Sequence, residues 1–183
     1  MSLNTNAFLQ FYQFFPTNFR NKKLEDLTEE ELASFTRAFI DLEAERFSII
    51  SSSLRGQLPF NTSEEKVVTI ATLIAASRQT DGDASSAATL SLCYDFACAV
   101  RSYLHSIDPE IDWRYQLKYP RAVSFAKPVI ARRRFSGAGF IDARVTAHGG
   151  ANYAFQHNQD IKDGILNMIT KQMKGHFGIE FEH

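Results

Sequence analysis

The chain is poor in the features that mark whole classes of protein. Cysteine occurs only twice, as Cys93 and Cys98. That is too sparse for a disulfide scaffold and points to a reducing, cytosol-like compartment. No stretch approaches the roughly 18 uncharged apolar residues of a membrane-spanning helix, so no membrane partner is expected. Met1 to Asn6 lacks a basic segment followed by an apolar one, so no secretory signal is expected either. The histidines at 105, 148, 157, 176 and 183 do not stand at metal-ligand spacing, and Cys93 and Cys98 lack a two-residue gap. Asp81 and Asp83 have no downstream Glu to complete a calcium loop. Gly137-Ala138-Gly139 lacks the third glycine of a phosphate loop. His148-Gly149-Gly150, read as a loop, has no Gly-x-Ser-x-Gly nucleophile elbow to serve. These absences predict a protein that is not an enzyme and carries neither metal nor cofactor.

One further absence is local. From Trp113 to Ile141 there is no Asp or Glu, while the same window holds Arg114, Lys118, Arg121, Lys127, Arg132, Arg133 and Arg134. The formal net charge of −1 hides this asymmetry, because the seven cations leave −8 for the rest of the chain. Aromatic residues interleave with the cations: Trp113, Tyr115, Tyr119, Phe125, Phe135 and Phe140. Single-stranded nucleic acid binding needs these two ingredients, since cations follow phosphates and ring faces accept bases. Lys118, Arg121, Lys127, Arg132, Arg133 and Arg134 are the candidate phosphate contacts, and Tyr115, Tyr119 and Phe135 the candidate base contacts. A solvated charged face whose aromatics turn inward is the plainer alternative. It accounts less well for the missing acids, because ordinary surfaces mix both signs. A basic membrane-surface helix is a weaker option, as no clean amphipathic pattern supports it.

What is present predicts a mainly α chain. With 183 residues, 44% of them hydrophobic, there is matter for one real core. Residues 1–24 read as an aromatic arm, with Phe8, Phe11, Tyr12, Phe14, Phe15 and Phe19 interrupted by Pro16. Such rings either fold back on their own core or dock on a neighbouring copy. Residues 25–175 read as a helical core containing the basic window 113–141, and residues 176–183 as a tail. Thr28 with Glu31, and Thr62 with Glu65, are capping-box spacings that start two helices. The first is expected to end at Gly56. A third helix is expected from about Ser85 to His105. Short helices are expected at Glu110–Leu117 and Pro128–Phe135, and a strand or extended link at Phe140–Val145. A last helix is expected to be capped by Asn158 and to end at Gly175. The architecture predicted is a helical bundle with an extended terminal arm and irregular basic connecting segments.

Leu92-Cys93-Tyr94-Asp95-Phe96-Ala97, then Val100 and Leu104, then Pro109 and Trp113, resemble the central core of flexuous filamentous plant-virus coat proteins of the potexvirus and carlavirus kind. Arg134-Phe135-Ser136-Gly137-Ala138-Gly139-Phe140-Ile141-Asp142 is similar to that family's basic-Phe…Phe…acid motif, of which Phe135, Phe140 and Asp142 carry over. The resemblance spans roughly Thr28 to Gly175 in short matches. It implies a mostly helical coat protein that encloses single-stranded RNA in a helical filament, found in the virion and in the cytoplasm of an infected host cell. It implies supporting roles at the RNA for Asp142 and Ser85, and an arm that joins copies of the protein. The expected groove for that arm lies around Val67, Ile70 and Leu73. A function of another class is a non-enzymatic helical adaptor whose segment 113–141 binds an acidic protein partner.

Overall fold

A computed structural model of the chain describes residues 27–81, 86–115, 127–134 and 139–182. The aromatic arm, with Phe8, Phe11, Tyr12, Phe14, Phe15 and Phe19, lies outside the described residues, as do Ser85, Lys118, Tyr119, Arg121 and Phe135. The described residues are mainly α: helices α1 (Glu29–Leu54), α2 (Ser63–Asp81), α3 (Ala87–Ile107), α4 (Ala143–Gln156) and α5 (Ile161–Phe177), with strands β1 (Ile111–Tyr115), β2 (Pro128–Arg132) and β3 (Phe140–Ile141) between α3 and α4.

The local signals act as their chemistry requires. Thr28 Oγ1 accepts from the Glu31 N–H at 3.2 Å, and the Glu31 carboxylate accepts from the Thr28 N–H at 3.0 Å. Thr62 and Glu65 form the same reciprocal pair, both bonds at 3.0 Å. Each box satisfies N–H groups that a helix start leaves orphaned. Helix α1 stops at Leu54 because Arg55 and Gly56 turn into the left-handed region, at φ 50° and 76°. Helix α2 packs chiefly against α3. Val67, Ile70, Ala71, Leu73 and Ile74 are all fully buried, so it has no exposed apolar stripe. The groove expected around Val67, Ile70 and Leu73 is therefore filled by the chain's own core, chiefly α3.

Several boundaries differ from the sequence reading. Helix α3, expected to end at His105, runs on to Ile107, and Ser86 caps its start, its side chain accepting from the Thr89 N–H. The two short helices expected in the basic region are strands. Ile111, Trp113 and Tyr115 alternate with polar residues, which suits a half-buried strand better than a helix. Pro128 opens β2, the one strand position where its missing N–H does no harm. β1 and β2 are antiparallel, with Ile111 opposite Arg132, Trp113 opposite Ile130 and Tyr115 opposite Pro128. β3 adds to the other edge of β2 with Ile141 opposite Ile130. Phe140–Ile141 is a strand as one of the two expected forms, but helix begins already at Ala143.

His148, Gly149 and Gly150 are not a loop. They lie in the middle of α4. The glycine there serves a close helix crossing: a Cβ on Gly150 would meet the Ile165 Cα at 3.1 Å. From the other side, a Cβ on Gly164 would meet the Ala154 Cβ at 2.7 Å. Asn158 sits in the α4–α5 turn at φ 52°, a conformation Asn tolerates, while Asp160 caps α5 by accepting from the Asp163 N–H at 2.9 Å. Gly175 lies inside α5, which ends instead at Gly178, φ 72°, after the buried Phe177.

The interface between α1 and α3 holds charge at its centre. Arg46 is fully buried and grips Asp95 with two hydrogen bonds, Nε to Oδ1 at 2.9 Å and Nη2 to Oδ2 at 2.6 Å. Its Nη2 also donates to the Ser91 hydroxyl at 3.3 Å. Nearby, Glu43 of α1 pairs with Arg101 of α3. Among the described residues, no helix is long and apolar enough to cross a membrane.

Candidate nucleic-acid interface

The described cations of the basic window do not make one patch. Strand β2 separates its described cations. Lys127 precedes the strand, and Arg132, Arg133 and Arg134 stand at its far end, about 20 Å away at the rise of an extended chain.

At the far end, the three arginines are exposed but not equivalent. Arg132 Nε donates to Asp108 Oδ2 at 3.0 Å, and its Nη2 donates to the Phe177 carbonyl at 3.2 Å. Its guanidinium also lies 5.7 Å from the Phe177 ring centroid. This arginine braces the turn against the end of α5. The Glu110 N–H and the Arg132 guanidinium hold the Asp108 carboxyl below its ordinary value. The side chains of Arg133 and Arg134 have no partner among the described residues, while the Arg133 N–H donates to the Glu110 carbonyl and fixes the turn. Two free guanidiniums side by side on a fixed turn suit a polyanion, because each can grip a phosphate with two parallel bonds.

At the near end, Lys127 lines a narrow recess with Phe35, Tyr94, Ala97, Trp113, Pro128 and Arg144. Arg144 is a member that composition does not announce, since it lies beyond the acid-free window, two residues after Asp142. Its guanidinium stands 5.3 Å from the Tyr94 ring centroid, and its Nη2 reaches Asp142 Oδ2 at 3.3 Å. Burial pushes the Tyr94 phenol up from its ordinary value, with Arg144 opposing. Asp142 is therefore engaged twice: Oδ1 accepts from the Val145 N–H at 3.1 Å and caps α4, while Oδ2 holds Arg144. It positions an arginine and the first turn of a helix at once.

The described aromatics of the window turn inward. Trp113 is almost wholly buried, and Tyr115 is half-buried against the core with its hydroxyl inside. Arg114 Nη1 donates to the Trp113 carbonyl at 2.7 Å. The near-end recess takes its rings from Phe35, Tyr94 and Trp113, and Arg144 lies over that of Tyr94, from α3. Sequence spacing could not find Tyr94, because helix α3 reads as core and only the fold carries it to the mouth of the hairpin. Lys118, Arg121, Tyr119, Phe135 and Ser85 lie outside the described residues.

Comparison with protein families, curated proteins and solved structures finds no match for this chain.

Proposed function

We propose that this chain is the coat protein of a helical nucleoprotein filament, binding single-stranded RNA without sequence preference and polymerising through residues 1–24. The observation that carries the reading is the exposed turn Arg132-Arg133-Arg134, with two guanidiniums free among the described residues and no acid from 113 to 141. Phosphates alone would engage such a turn, so binding would be indifferent to base sequence. The mainly helical core and the motif resemblance around Cys93 and Asp142 support the same reading. On this proposal the chain acts in the virion and in the cytoplasm of an infected cell.

Negative-stain electron microscopy of the purified protein, with and without ribonuclease, tests it together with the 260/280 absorbance ratio. Filaments or stacked rings holding protected RNA are the expected result. A second reading has one observation in its favour. Arg132 already takes a carboxylate, Asp108, as an acidic protein partner would supply. A small particle free of nucleic acid would favour that adaptor reading and end the first.

A further inference from the structure

Two of the longer charge-free stretches among the described residues are largely buried. Residues 67–77 and 86–94 hold no Asp, Glu, Lys or Arg, and they form the interior of α2 and α3. Residues 145–159 are equally free of charge; Thr146, Ala147, Gly150, Ala151 and Ala154 are their buried side, while Val145, Tyr153 and residues 155–159 are exposed on α4 and the turn after it. Val145, Tyr153 and Phe155 are exposed there, Tyr153 by 54%. A scattered apolar residue on a surface needs no explanation, but an exposed helix side and turn with no formal charge of their own, around two exposed rings, do.

The rings are held in place. Tyr153 stacks on His157 with centroids 4.1 Å apart, and Phe155 lies 4.0 Å from the Arg78 guanidinium. An open cleft of about 350 Å³ adjoins Phe155, lined by Gln79, Phe155, Asn158, Gln159 and Ile161, again without a formal charge. Fixed rings beside neutral amides make a surface that loses little freedom when something binds.

The chain holds one other charge-free run of this chemistry. Residues 1–19 contain no Asp, Glu, Lys or Arg, and they mix six aromatic rings with Asn4, Asn6, Gln10, Gln13 and Asn18. We infer that the outer face of α4, residues 145–159, is the seat of residues 1–19 of a neighbouring copy. This rests on the polymerisation reading and replaces the closed groove at Val67, Ile70 and Leu73. A charged partner segment is disfavoured because it would lose hydration against this face, whose neighbouring cation, Arg78, is buried and already engaged by the Phe155 ring. Rings against rings and amides against amides lose nothing of that kind.

The experiment uses the full chain with benzoylphenylalanine at Phe11, or separately at Phe15, in an equal mixture of ¹⁴N and ¹⁵N protein. After irradiation, the expected cross-links join unlike isotopes and fall within residues 145–159. The second arm is Gly149→Lys. A Cβ at Gly149 meets nothing within 4 Å, so the lysine enters the middle of the face without a clash. Circular dichroism should be unchanged, and the cross-link yield should fall at least tenfold, with assembly lost. Cross-links elsewhere, same-isotope links alone, or an indifferent Gly149→Lys would each overturn the assignment. Filaments whose arms cross-link elsewhere would leave the coat reading standing without this seat. Unlike-isotope links on α4 in small oligomers that never form filaments would do the reverse.

Discussion

Arg46 and Asp95 face each other across the α1–α3 interface in a two-bond ion pair, with side chains 1% and 0% exposed. A charge so enclosed is stable only while its partner is present. Arg46→Met should cost about 3–5 kcal/mol in urea unfolding, because it strands a buried carboxylate. Arg46→Met with Asp95→Leu should recover most of that loss. The single variant also has a pH signature. Burial raises the Asp95 carboxyl above its ordinary 3.8, with the hydrogen bonds from Arg46 opposing. Without Arg46 the carboxyl rises further. A raised acid contributes stability below its unfolded value and loses it as pH climbs, so the penalty should shrink toward pH 4 and grow above it.

Helix α5 gives two glycine substitutions of opposite sign, one at its crossing with α4 and one away from it. Gly164→Ala should lower stability by about 1–3 kcal/mol, since its methyl meets Ala154 at 2.7 Å and the helices must part. Gly175→Ala should raise it by about 0.5–1 kcal/mol, because that position is helical, exposed and open around its Cβ. Thermal unfolding of the pair measures both. Equal shifts would mean that the helices do not cross at Gly164.

Both thiols should be silent in the native protein. Burial pushes Cys93 up to about 12 and Cys98 well above its ordinary 9.0. At pH 8 neither is a thiolate, and neither is accessible. Ellman's reagent should therefore react only as fast as the protein opens, and at once in denaturant. The sign for stability follows. The folded state prefers protonated thiols, so their contribution is intact below about pH 9 and fades as pH rises toward 12.

The capping boxes at Thr28 and Thr62 were legible in the sequence because both partners lie three residues apart. The mainly α class was legible for a related reason: helical periodicity is local. The strands were not, since five residues bounded by Pro128 acquire their identity from register with a segment many positions away. His148-Gly149-Gly150 reads as a loop until α5 is placed against it. The pairing of Arg46 with Asp95 was not legible, because the two stand 49 residues apart. Of the candidate RNA contacts, the arginine cluster was legible from composition. Arg144 and Tyr94 were not, because they reach the hairpin through tertiary packing alone.

RNA binding should respond differently to the arginines. Arg133→Ala with Arg134→Ala should weaken binding to all sequences alike. It should also reduce the slope of log affinity against log salt by about 1.4, from roughly 0.7 for each phosphate no longer neutralised. Anisotropy titrations across a salt series read this directly, and a constant slope would remove the turn from the interface. Arg132→Ala should change the slope less and lower the melting temperature as well.

That asymmetry reaches beyond a single variant. Arg132 is already satisfied before any ligand arrives, by the Asp108 carboxylate and the Phe177 carbonyl at the end of α5. An anion recruits it only by exchange, and what it gains is the difference between two sets of acceptors. Each exchange also returns Asp108 and the end of α5 to water. On the filament reading, a polyanion that recruits Arg132 as well as its two free neighbours would release the Phe177 carbonyl at the end of α5, a place the ligand need not touch.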